Sequence, residues 1–172
     1  MSVAKKQLKT KPRSPKVRKT LRILVANGVN LDLLGRREPE IYGSLSLTDL
    51  ENEVRTFAVR CAELFGIGLA VAFTQSNDEG AFLEQLSQDW DGMLINPGAW
   101  GHTSLALADR LKGLGTPFVE VHLSNVAARE PIRQHSHLSR YALGVVSGLG
   151  IDSYRAGIVG LIGRLLEKES RS

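Results

Sequence analysis

From Leu21 onward, short apolar runs alternate with longer segments whose apolar residues return every three or four positions. Runs that short suit strands buried on both faces, and segments of helical period suit the crossovers that parallel strands need. The pattern predicts strands at Arg22–Ala26, Leu69–Phe73, Gly92–Ile95 and Pro117–Val121, with a fifth inside Tyr141–Val146. A helix is expected at Leu47–Phe65, where Leu47, Leu50, Val54, Phe57, Cys61 and Leu64 form an inward stripe between a Ser46/Asp49 capping pair and Gly66. Another follows Asp152, from Ser153 to Glu169, with Ile158, Leu161, Ile162 and Leu165 facing the core. This order gives an α/β fold: a flavodoxin-like three-layer sandwich around a five-stranded parallel sheet.

A chain of 172 residues fits one such domain, here 21–172. Its net charge of +4 is misleading, because residues 1–20 hold eight Lys and Arg and no acid, leaving 14 basic against 18 acidic residues in the rest. With two prolines and few large apolar side chains, 1–20 is expected to be a disordered basic arm, more a solubilising tail than a specific nucleic-acid contact. No apolar run approaches the roughly 18 residues that span a bilayer, so a soluble, cytoplasmic protein is expected. The lone Cys61 is expected in the core.

In doubly wound folds ligands bind beyond the carboxyl ends of the strands. Four strand ends here are polar: Asn27–Asn30, Gln75–Glu79, Asn96–His102 and Glu120–Asn125. The fold should gather them into one site. The loop 35–43 is charged, proline-broken and long enough for a lid, and places Arg37 five residues before Tyr42. A phenolate at pH 7 costs roughly 4 kcal/mol, much of which a nearby guanidinium can offset, making Tyr42 a candidate base. The same residues also suit a surface aromatic and a salt-bridge partner.

Glu120 and His122 share a strand face, so the carboxylate can orient the imidazole as a general acid, or simply satisfy a core histidine. Arg129 and Arg133, four apart, share a face if their segment is helical; they suit a carboxylated ligand or an exposed turn. No P-loop, hydrolase triad or zinc-ligand spacing is present in the sequence.

Together, N-G-V-N-L-D-L-L-G-R-R-E-P-E-I-Y-G (27–43), I-N-P-G-A-W-G-H-T-S (95–104), E-V-H-L-S-N (120–125) and A-R-E-P-I-R-Q-H-S (128–136) resemble the type II 3-dehydroquinate dehydratases of the shikimate and quinate pathways, over Ile23 to Leu166. The resemblance implies a hydro-lyase in which Tyr42, favoured as phenolate by Arg37, takes the proton alpha to the ketone. It implies that Asn30 stabilises the enolate through an ordered water and that His122, oriented by Glu120, protonates the departing hydroxyl. Asn96 with the backbone of Leu123 and Ser124 would bind the substrate carboxylate, His102 and Arg133 the ring hydroxyls, and Arg129 would close the site. Asp109 would reach a neighbouring subunit in a dodecamer built from trimers. No cofactor or metal is implied.

Val29, Ala108, Ala127, His137 and Arg140 depart from residues common in the family, and Trp100 with Gly101 alters the wall beside His102. None replaces an implied catalytic group, so they bear on rate, affinity and assembly.

Overall fold

The computed structural model describes residues 20–36 and 45–171. Five strands, β1 (Thr20–Asn27), β2 (Gly68–Gln75), β3 (Gly92–Asn96), β4 (Phe118–His122) and β5 (Gly144–Ser147), form one sheet in the order β2-β1-β3-β4-β5. All four pairings are parallel. This is the flavodoxin-like order, whose switch point lies between β1 and β3. Thr20 already belongs to β1, and the rest of the expected arm lies outside the described residues. The fifth strand ends at Ser147, one residue beyond its expected window.

Side chains on β1, β3 and β4 alternate between two cores, as a period of two requires. One core joins Ile23, Val25, Leu94 and Val121 to helices α1 (Leu47–Phe65) and α6 (Asp152–Arg171). The other joins Leu24, Ile95 and Phe118 to α2 (Glu79–Leu86) and α4 (Leu105–Leu114). Between β3 and α4 runs the one-turn α3 (Trp100–Thr103), and after β4 come a 3-10 turn at Val126–Ala128 and the one-turn α5 (Pro131–Gln134).

The capping box expected for α1 is formed: Ser46 accepts from the Asp49 amide and the Asp49 side chain accepts from the Ser46 amide. The helix ends in the left-handed Gly66, with the Gly66 and Ile67 amides donating back to Glu63 and Ala62. Leu64 does not join the stripe and is 87% exposed, because Phe65 and Ile67 supply the apolar contact at that end. Cys61 is buried, and burial pushes its thiol pKa up. Among the described residues, no helix is long and apolar enough to cross a membrane.

The exits of β1 and β3 touch. The Gly28 amide donates to the Asn96 carbonyl at 2.7 Å, and a Cβ on Gly28 would lie 2.4 Å from the Pro97 oxygen. Gly98, at φ 59°, would place a Cβ 2.5 Å from the Val29 oxygen. Gly98→Ala is therefore expected to cost about 2–4 kcal/mol, the sum of left-handed strain and a backbone collision, read as a lower urea midpoint with little change in slope.

Candidate active site

A cleft opens above the switch point, bordered by the loops after β1, β3 and β4 and by the segment leading into α5. Eight of the residues singled out from the sequence border it: Asn30, Asn96, His102, His122, Leu123, Ser124, Arg129 and Arg133. Leu31, Leu34 and Val126 add an apolar wall that the motifs did not signal. Arg37 and Tyr42 lie outside the described residues. Asp109 sits exposed on α4 and does not border the cleft of its own chain.

The β2 exit braces the site instead of lining it. Asn30 is the one non-glycine residue with positive φ among those described, at φ 66°, and its amide donates to Asn77 Oδ1 at 2.7 Å. Gln75 Nε2 also donates to Asn77 Oδ1, at 3.0 Å, and reaches the Gly28 carbonyl at 3.3 Å. Asparagine tolerates this left-handed backbone better than most residues, and the bond its amide donates to Asn77 helps to hold it there.

Behind the cleft, His122 Nε2 lies 2.7 Å from Glu120 Oε1, both side chains nearly inaccessible. They lie two and four residues after Phe118 and share its face, so they project toward the α2/α4 side of the sheet. A carboxylate oxygen there can accept a proton carried on Nε2, which leaves Nδ1 as the remaining polar atom of the ring. Gly101 admits this arrangement, since a Cβ there would meet Pro97 Cγ at 2.9 Å and Glu120 Oε1 at 3.6 Å. His102 stacks near His122, ring centroids 6.2 Å apart, and its Nδ1 donates to the His135 carbonyl at 2.8 Å. Trp100 does not form the cleft wall; its ring packs against Phe82 in the core, centroids 5.3 Å apart.

Arg129 and Arg133 reach the cleft without sharing a helix face. Arg129 is extended, at φ −92° and ψ 179°, between the 3-10 turn and α5, and Pro131 starts the next turn. Arg133 pairs with Glu130 through Nε at 2.6 Å.

On the α1/α6 side, Asn27 and Asn96 flank Tyr154, which is wholly buried. Asn96 Nδ2 donates to the tyrosine oxygen at 2.8 Å, and the hydroxyl donates to Asn27 Oδ1 at 2.7 Å. Sequence reasoning missed Tyr154. Its signal was its position one turn before Ile158 on the inward stripe of α6, where a phenol needs buried partners.

A class II dehydroquinase sequence model matches residues 21–162. The chain belongs to that family. A 3-dehydroquinate dehydratase of Carboxydothermus hydrogenoformans is 44% identical over 153 residues, covering 87% of this chain and 96% of the relative. Catabolic 3-dehydroquinase 1 of Neosartorya fischeri is 46% identical over 139 residues, covering 79% and 89%. The crystal structure of the type II dehydroquinase from Propionibacterium acnes superposes with a TM-score of 0.74 at 38% identity, covering 82% of this chain and 95% of that one. Relatives thus carry both the plain name 3-dehydroquinate dehydratase and a catabolic one.

Burial is the main cause pushing the Tyr154 phenol pKa well above its ordinary value near 10, only partly countered by the bond from Asn96. The folded state then holds a proton that the unfolded chain loses first. The stabilisation is complete below about pH 10 and is lost as pH rises above it. Ultraviolet titration should show one tyrosine ionising only with alkaline unfolding, a step absent in Tyr154→Phe.

Proposed function

We propose that the chain is a 3-dehydroquinate dehydratase that eliminates water from 3-dehydroquinate to give 3-dehydroshikimate through an enolate. The observation that carries this reading is the family match across residues 21–162, which spans every segment bordering the cleft. The cleft chemistry agrees with it: two asparagines, two histidines and two arginines offer donors to an anionic, polyhydroxylated ring.

Tyr42, held as phenolate by Arg37, removes the proton alpha to the ketone. The C–H electrons pass into the enolate, whose oxygen is stabilised near Asn30 through a water. As the ketone reforms, the hydroxyl beta to it departs, taking a proton from His122, which Glu120 orients. The step leaves Tyr42 protonated and His122 one proton short, and net transfer of that proton from Tyr42 to His122 through solvent restores both, so atoms and charge close without an external oxidant or reductant. Asn96 and the Leu123 and Ser124 backbone hold the carboxylate, His102 and Arg133 the ring hydroxyls, and Arg129 closes over them. Asp109, exposed on its own chain, serves a neighbouring site in a dodecamer of trimers.

The test adds 3-dehydroquinate to the purified protein and follows the ultraviolet absorbance of the conjugated product. Turnover is expected in the wild type. Tyr42→Phe and His122→Gln should each lower kcat by about 100-fold or more while calorimetry still detects ligand binding. Binding without turnover in the wild type would make the chain a ligand-binding relative, and absence of both would overturn the assignment of the cleft.

A further inference from the structure

We propose that Tyr154 is a positioning residue: its hydroxyl, held by Asn27, fixes the Asn96 amide so that the remaining N–H of Asn96 meets the substrate carboxylate. The inference rests on the reading of Asn96 as a carboxylate contact and assigns the device that makes it one.

An asparagine amide presents an oxygen and a nitrogen of almost equal shape, and a carboxylate discriminates between them sharply. It is bound by N–H and repelled by the carbonyl oxygen. Asn96 is 3% exposed and borders the cleft, so its amide orientation decides whether the cleft wall attracts or rejects an anion there. A run of three hydrogen bonds sets that orientation. The Gly98 backbone amide, which can only donate, reaches Asn96 Oδ1 at 3.2 Å. Asn96 Nδ2 therefore faces Tyr154, donating one hydrogen to the phenol oxygen at 2.8 Å. With its lone pair so engaged, the phenol directs its own proton to Asn27 Oδ1 at 2.7 Å.

Every bond in the run donates in the same direction, from a backbone amide to the side chain of Asn27, and each strengthens the next in a medium without water. Asn27 Nδ2 lies at the far end, buried with no protein partner. The ring of Tyr154 sits in the apolar core between α6 and the sheet, and phenylalanine keeps that ring. The hydroxyl is what a phenylalanine lacks, and its two bonds both end on asparagines at the strand exits. Without it, one Asn96 hydrogen is buried and unpaired, and the amide gains by turning that hydrogen elsewhere, away from the geometry the carboxylate needs.

Since a ground-state contact to the carboxylate persists through the reaction, its loss should raise KM and leave kcat nearly unchanged. Four proteins decide the matter: wild type, Tyr154→Phe, Asn96→Ala and the double variant, each assayed with 3-dehydroquinate. Tyr154→Phe is expected to raise KM by about tenfold, the scale of one charge-assisted hydrogen bond, with kcat within about threefold. In the Asn96→Ala background the same change should raise KM no further, because the group that Tyr154 orients has gone.

Leu161→Ala, at a buried α6 residue that packs beside Gly92, the opposite end of β3 from Asn96, supplies the control for lost stability: it should lower Tm without moving KM. Full additivity in the double variant, or an unchanged KM in Tyr154→Phe, overturns the positioning role while leaving Asn96 as a contact. No change of KM in Asn96→Ala removes the reading of Asn96 and the inference with it. Should Tyr154→Phe not fold, Asn27→Ala removes the acceptor of the hydroxyl and is expected to raise KM in the same direction; an unchanged KM there overturns the proposal.

Discussion

The contact between the exits of β1 and β3 governs the rest of the molecule. Two adjacent parallel strands whose chains continue in opposite directions leave a crevice at their ends, and its width depends on how closely the two exits approach. Here the approach is at backbone contact, with Gly28 against Pro97 and Gly98 against Val29. Any side chain at either glycine would wedge the exits apart. Asn27 and Asn96, paired across the two strands in register, would separate with them. The glycines are therefore less about flexibility than about absence: they remove the atoms that would hold the strand ends apart.

Closing the exits this tightly buries polar side chains, and the structure answers that cost on each face differently. On the α1/α6 face the answer is a neutral chain of amides and a phenol, with burial keeping Tyr154 protonated. On the α2/α4 face it is a carboxylate against an imidazole. There the 2.7 Å contact gives Glu120 Oε1 and His122 Nε2 a partner each. The neutral chain fixes the orientation of an amide, and the carboxylate fixes that of a ring.

Much of this could be read from the sequence because the relevant signals are local. The α1 capping box, the strand starts and the paired Glu120 and His122 depend on neighbours within a few residues, and the family resemblance rests on contiguous segments. The Asn27–Tyr154 bond joins residues 127 apart and had no local trace beyond a hydroxyl on an apolar stripe. Asn77 was read as part of a polar strand end, yet its role in holding Asn30 depends on β1 and β2 lying side by side. Arg129 and Arg133 were expected on one helix face if their segment were helical, and Pro131 splits that segment into two turns. Leu64 obeyed the helical period and still faces solvent, because period fixes direction around the axis but not whether anything lies opposite.

The cleft draws its polar groups from both sides of the sheet: Asn96 with Tyr154 behind it from one layer, His122 with Glu120 behind it from the other. Among the described residues, the two helical layers pack on opposite faces of the sheet. A molecule seated across the sheet edge would rivet them together, touching one layer through an amide and the other through an imidazole. Occupancy would then be felt as far away as the backbone of α6, on the face of the domain that never sees the ligand.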